Sequence, residues 1–375
     1  MITSQLNYAI ISDQLAGGIG GAENLLWLAM DLYPQAAVYT TVIRPEIIPA
    51  SYNQRTITPT WIQKLPKAGK LYKAYLPLMP LAVEMLNLQQ YDVVLSMNHS
   101  MAKGVVVRPD ATHVCYCHSP ARYIWDMFWT YSEMNQFSPI KHLIVATLSN
   151  YLRMWDVTSA QRVDYFLANS SITKQRIETY YNRPAEILYP GCDTNKFEHL
   201  GTDDYYLMVG RLVAYKGFDL AVDVFNELKL PLKIAGSGPE LEALRAKAGP
   251  TVEILGRVDD ATLKTLMGNC KGFIFPGKED FGIAMVEAQA AGKPVIALAA
   301  GGALDIVKHG ETGWLAPSYT VEAFKTAVLE ANQQPWHVET IAQHAETFSI
   351  ANFQSRLKEL LDNPASIKNR KSLVV

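Results

Sequence analysis

Short apolar runs alternate with amphipathic stretches along nearly the whole chain. Tyr8, Ala9, Ile10 and Ile11 open the series; a turn with Gly17, Gly18, Gly20 and Gly21 follows, then helical spacing at Leu25, Leu26, Leu28 and Ala29. This reads as a strand, a tight loop and a helix. Further buried strands are expected over residues 38–42, 92–96, 104–107, 113–117 and 165–168. Continuous apolar runs of this length, separated by helix-length segments, imply parallel strands joined by crossover helices.

Between residues 189 and 204 the text turns to Pro, Gly, Asp, Thr and Asn, the composition of a linker. The pattern then restarts. Strands are expected over 206–209, 232–235, 252–255, 272–275 and 294–298, with helical spacing over 220–228, 261–267 and 284–291, and a last amphipathic helix over 352–361. The fold class is therefore α/β, with two doubly wound Rossmann-like domains facing a central cleft. The expected division is 1–195, 196–345, and a tail 346–375 packing back on the first domain. In open sheets of this kind ligands bind in the loops at the carboxyl ends of the strands.

Composition narrows the class. With 375 residues, 49% hydrophobic and 19% charged, the chain is globular and long enough for two cores. A net charge of -2 disfavours a general nucleic-acid partner. Cys115 and Cys117 alternate inside an apolar run, Cys192 and Cys270 stand apart, and no CxxC pair exists, so reduced structural thiols are expected. The amino terminus has no basic leader followed by a small-residue cleavage site, and no apolar stretch reaches the length of a spanning helix; a cytoplasmic protein is expected.

Four constellations carry candidate chemistry. The glycine-rich turn ending in Gly20, Gly21, Ala22 and Glu23 is either a phosphate cradle at a helix start or only a tight turn; Glu23 stands where a dinucleotide fingerprint would have its third glycine. Arg211 and Lys216 follow a strand end, where two cations can neutralise a diphosphate leaving group without a metal; the alternative is a pair of solvated surface cations. Glu279 lies in a polar loop after a strand, and Glu287 lies on the next helix among Ala284, Met285, Val286 and Ala288. A carboxylate in apolar company needs a partner, either a pair of sugar hydroxyls or a structural cation. His118 directly follows a strand and precedes Pro120, either as a donor to a sugar or phosphate oxygen or as a satisfied loop histidine.

Gly210-Arg-Leu, Tyr215-Lys-Gly, Ala235-Gly-Ser-Gly-Pro-Glu240, the block from Glu279 to Glu287 and Gly310-Glu-Thr-Gly-Trp-Leu315 together resemble the donor half of retaining glycosyltransferases of family 4, which have the GT-B fold. Gly-Gly-Ala-Glu23, Ala168-Asn-Ser170 and Tyr189-Pro-Gly-Cys-Asp193 fit the same family. Leu76-Pro-Leu-Met-Pro-Leu-Ala, Ala102-Lys-Gly104 and His118-Ser-Pro-Ala-Arg-Tyr resemble bacterial O-antigen mannosyltransferases. The resemblance implies ribose binding by Glu287. It implies sugar binding by Glu279 with the amides of Phe281, Gly282 and Ile283, and diphosphate binding by Arg211 and Lys216. His118 falls beside the donor sugar, Gly20 and Gly21 in the loop over the phosphates, and Gly236 in the donor motif. Candidate acceptor-side residues are His99, Lys103 and Arg122. Asp280 departs from the family's Glu-Gly-Phe-Gly, which makes that loop stiffer and more acidic.

The implied reaction is hexosyl transfer, with mannose from GDP-mannose the best reading. The anomeric configuration is retained, and the acceptor is a glycan or polyprenyl-linked saccharide of polysaccharide or O-antigen assembly. The nucleotide-diphosphate sugar is a co-substrate; no cofactor and no metal is expected. A nucleotide-sugar epimerase and a catalytically silent nucleotide-sugar-binding subunit are the alternatives. Lys64, Lys67, Lys70 and Lys73, followed by the apolar run 75–83, suggest peripheral contact with an anionic membrane, or a solvated basic loop leading into a buried helix.

Overall fold

The computed structural model describes residues 6–18, 20–134 and 138–371. Ile19, inside the glycine-rich turn, and residues 1–5 of the amino terminus lie outside them. The chain divides into two compact units. The first comprises residues 1–169, 173–189 and 354–375; the second comprises 170–172 and 190–353.

The first unit is built on seven strands: β1 (Tyr8–Ser12), β2 (Ala37–Thr40), β3 (Ile57–Pro59), β4 (Val93–Asn98), β5 (Thr112–Cys117), β6 (Tyr165–Ala168) and β7 (Ala185–Ile187). They pair in the order β3-β2-β1-β4-β5-β6-β7, every neighbour parallel. The order reverses between β1 and β4, and that reversal opens a crevice at the strands' carboxyl ends. β4 and β5 are buried along their whole length, which is why they read as unbroken apolar runs. The helices used below are α1 (Gly21–Leu32), α2 (Met79–Glu84), α3 (Phe128–Met134) and α4 (Pro139–Ala160).

The strand expected over residues 104–107 is not one. Ala102–Gly104 forms a 3-10 turn and the chain runs on unpaired. The reason is topological: β4 and β5 are adjacent and parallel, so this segment must carry the chain back to the opposite end of the sheet. Its apolar residues are buried as a crossover, with Gly104 so close to the Trp155 ring that a Cβ would sit 2.2 Å from it.

The second unit has β8 (Tyr206–Val209), β9 (Leu232–Ala235), β10 (Val252–Gly256), β11 (Gly272–Phe275), β12 (Val295–Leu298) and β13 (Gly313–Ala316), in the order β10-β9-β8-β11-β12-β13 and again parallel. α5 (Phe218–Leu228) buries Phe218, Ala221, Val222 and Phe225, one stripe at helical spacing, in a core shared with Phe324 and Val328. α6 (Ile283–Ala290) follows β11. The last helix, α7 (Ile350–Leu361), carries the chain back into the first unit. There Gln354 donates to the carbonyl of Leu28 at 3.1 Å, Arg356 pairs with Glu186, and Tyr8 and Tyr33 both donate to Asp362. All four cysteines are free and buried.

Candidate functional site

The first unit gathers polar groups where β1, β4 and β5 end. Asp13, the residue after β1, is buried and accepts the backbone N–H groups of His99 (2.5 Å), Ser100 (2.9 Å), Met101 (2.5 Å) and Ala102 (2.7 Å). One carboxylate thus pins the whole loop after β4. It also orients His99, whose Nδ1 lies 3.1 Å from Asp13 and whose Nε2 lies 3.0 Å from the Gln14 amide. The sequence reading missed Asp13; an aspartate directly after the first strand was the available signal.

His118 leaves β5 with its N–H held by the Asn98 carbonyl at 2.8 Å. Burial pushes its imidazole pKa down to about 3, with His99 adding to the effect and Asp13 opposing it. The ring is therefore neutral at physiological pH, and neither of its nitrogens has a hydrogen-bond partner among the described residues. A neutral imidazole can donate from one nitrogen and accept at the other.

Two expectations for this unit change. Lys103 is fully buried, its ammonium committed to the Asp156 carboxylate and, at 3.2 Å, to Ser159. Asp156 also accepts from Trp125 Nε1 at 2.8 Å and the Tyr181 hydroxyl at 2.9 Å. Lys103 is a structural cation that completes a buried polar network, and does not serve an acceptor. The Gly20 amide is likewise occupied: it donates to Glu23 Oε2 at 2.8 Å as the cap of α1, which begins at Gly21. Glu23 is a capping group, so the loop offers a phosphate less than its glycines promise. Arg122 sits half-buried with its Nε 3.2 Å from Asp126, a carboxylate that Arg176 also approaches at 3.3 Å.

In the second unit the loops after β8, β9 and β10 line one cavity of about 500 Å³. Its walls include Gly210, Arg211, Gly236, Ser237, Gly238 and Arg257. The ladder runs on past the strand ends, from Gly210 N–H to the Ala235 carbonyl and from Gly236 N–H to the Gly256 carbonyl. A Cβ on Gly236 would stand 1.8 Å from the Gly210 carbonyl oxygen, so no larger residue fits without moving the backbone. Arg211 and Arg257 are exposed and have no hydrogen-bond or ion-pair partner among the described residues. No carboxylate lines the cavity. Such a recess suits an anion. Arg257 was missed in the sequence, although it follows the expected strand 252–255 directly.

On the other side of the reversal point, between β8 and β11, Lys216 and Glu279 form an ion pair at 2.6 Å, each side chain about one-fifth exposed. Lys216 ends the 3-10 turn Ala214–Lys216, and Glu279 lies in the loop between β11 and α6. Neither the sequence reading nor the resemblance paired them. Gly282 caps α6 with its backbone in the left-handed region, and the amides of Gly282 and Ile283 have no partner among the described residues. Phe281 is buried beneath them. Glu287 lies one turn into α6, and burial raises its carboxyl above the usual range, Lys196 opposing this and Asp193 and Asp260 adding to it. It has no hydrogen bond or ion pair among the described residues, so the structural ion pair weighed for it is absent. Among the described residues no group of three or more His, Cys, Asp or Glu could hold a metal ion.

Two family models match in tandem: Glycosyltransferase Family 4 over residues 19–196 and Glycosyl transferases group 1 over residues 193–348. The chain belongs to glycosyltransferase family 4. It is 30% identical over 226 residues to the D-rhamnosyltransferase WbpZ of Pseudomonas aeruginosa, covering 57% of this chain and 56% of that protein. It is 30% identical over 194 residues to a GDP-mannose-dependent alpha-(1-6)-phosphatidylinositol monomannoside mannosyltransferase of Mycobacterium tuberculosis, covering 43% and 50%. The chain spans about half the length of these curated relatives. Among solved structures, the sucrose-phosphate synthase of Thermosynechococcus elongatus superposes with a TM-score of 0.71 at 18% identity, covering 94% of this chain and 98% of that one. Anabaena HepE in complex with UDP and glucose superposes at 0.65 with 19% identity, covering 96% and 100%. At these identities the likeness is one of fold, the GT-B fold of two Rossmann-like sheets. Within this family 4 chain, the residues carrying the donor motifs are those that the second unit assembles around its strand-order reversal.

Proposed function

We propose that this family 4 member is a retaining hexosyltransferase. It would take mannose from GDP-mannose and pass it to a glycan or polyprenyl-linked saccharide in polysaccharide or O-antigen assembly. One observation carries the reading: a cavity lined by Arg211 and Arg257 opens at one side of the reversal point, and the Lys216–Glu279 pair stands at the other. The cavity takes the nucleotide, and the cations meet the diphosphate. Glu287, short of a donor, takes the ribose hydroxyls. Glu279 shares its carboxylate between Lys216 and the sugar. As the diphosphate leaves, the charge developing on it is held by groups already in place. His118, neutral and without a partner, supplies a donor on the acceptor side. The choice of GDP-mannose follows the activity named for the mycobacterial relative.

Contact with an anionic membrane belongs to the same reading. Lys64, Lys67, Lys70 and Lys73 are all exposed, but the apolar run after them is half core, with Met79, Pro80, Ala82 and Val83 buried. No helix among the described residues is long and apolar enough to cross a membrane.

The test is turnover of nucleotide sugars by the purified protein, with and without EDTA. Consumption of GDP-mannose that yields a glycoside and is indifferent to EDTA is the expected result. Interconversion of the donor to its epimer, or binding without turnover, would replace the proposal.

A further inference from the structure

α4 is turned inside out. Its buried residues are Ser149, Leu152, Asp156, Ser159 and Ala160, three of the five polar. Its exposed residues include Ile140 (75% exposed), Leu143, Ile144, Leu148, Tyr151 and Met154. At 3.6 residues per turn these six fall within about 140° of arc, along about 21 Å of helix. The polar inner face is explained, since Asp156 and Ser159 are the partners of Lys103. The apolar outer face faces water.

The stripe has a defined beginning. α3 packs on the first turn of α4 through Trp129, whose ring stacks on His142 with centroids 5.2 Å apart, while Ser132 Oγ lies 2.8 Å from His142 Nδ1. Trp129 and Tyr131 remain 65% and 42% exposed. Farther along, Trp155 and Arg162 both donate to Glu84 at the end of α2, which itself exposes Leu81. Charge completes the pattern. From residue 134 through 155 the sequence has Lys141 and Arg153 and no Asp or Glu, and from 57 through 83 it has four lysines and no Asp or Glu.

We infer that the outer face of α4, with Trp129 and Tyr131 at its start, is a membrane-docking surface that lies in the headgroup region of an anionic bilayer. Aliphatic side chains on one helical face, interfacial aromatics and cations without carboxylates are what such a surface attracts. A second copy of the chain is the poorer occupant, because a self-complementary interface would set Lys141 and Arg153 against their own kind. The inference rests on the surface of the first unit alone and is independent of which sugar or acceptor the protein uses.

The test is flotation of the full chain, without donor or acceptor, with vesicles of phosphatidylcholine alone or with added phosphatidylglycerol. The wild type should float with the anionic vesicles and lose binding in high salt. Substituting Leu143→Ser, Ile144→Ser and Leu148→Ser together should lower the bound fraction about tenfold or more. These residues are exposed, so the melting temperature should hold and confirm the fold. Tryptophan emission should shift to the blue on anionic vesicles, and Trp129→Phe should remove most of that shift. Undiminished flotation of the triple variant overturns the inference, as does a wild type that stays in solution. A concentration-dependent dimer that the triple variant abolishes would overturn it in favour of a second copy. Loss of binding only when Lys64, Lys67, Lys70 and Lys73 become Gln would move the contact away from α4.

Discussion

A carboxylate drawn out of water without a hydrogen-bond donor holds its proton more tightly, and its charge costs stability at neutral pH. Glu287 is such a group: its folded-state pKa lies above the unfolded value, so it opposes folding once pH passes the unfolded pKa. Glu287→Gln should therefore leave the melting temperature unchanged or raised, while weakening GDP affinity by roughly 1–3 kcal/mol, the worth of a charge-assisted hydrogen bond. The wild type should lose GDP affinity on acidification sooner than an ordinary glutamate would dictate, and Glu287→Gln should remove that pH dependence; calorimetric titration reads both. Lys216 makes the opposite case. Its ammonium is already satisfied by Glu279, so Lys216→Ala frees a carboxylate beside the diphosphate as well as removing a cation. Turnover should fall by about 10²-fold or more, the scale of one lost preorganised contact, and full activity would remove Lys216 from the site. The identities of these residues were legible in the sequence because each follows a strand. The Lys216–Glu279 pairing was not, since 63 positions separate them and only the neighbouring of β8 and β11 joins their loops.

Elements tell a similar story of what periodicity can carry. Unbroken apolar runs gave away β1, β4, β5, β6 and five strands of the second unit. The short edge strands β3 and β7 have half-exposed residues and no such signature. α4 escaped notice although it is 22 residues long, because the rule that apolar residues face inward is reversed on it. Where strand ends meet, geometry is stricter than sequence suggests. Gly236→Ala would force its methyl against the Gly210 carbonyl and part the loops that wall the cavity. The expected cost is about 1–3 kcal/mol of stability in the second unit, as for other overpacking, with GDP binding weakened beyond detection by the same titration. A variant that binds normally would separate the cavity from the nucleotide.

At the scale of the molecule, the linker expected at 189–204 matches the passage of the chain from one unit to the other at Tyr189 and Pro190. The return at Gln354 lies inside a continuous helix, so no change of composition announces it. Leu357, Leu360 and Leu361 are buried there, and Asp362 holds two tyrosine hydroxyls. Deleting residues 354–375 should lower the melting temperature of the first unit and leave that of the second nearly unchanged, seen as one displaced transition in scanning calorimetry. The same threading sets an order of events during synthesis. The first unit's seven strands leave the ribosome early, but the segment that covers Tyr8 and Tyr33 arrives only after the second unit has been translated. The half of the protein that is made first is the half that is finished last, and until then it depends on chaperones or on its own incomplete core.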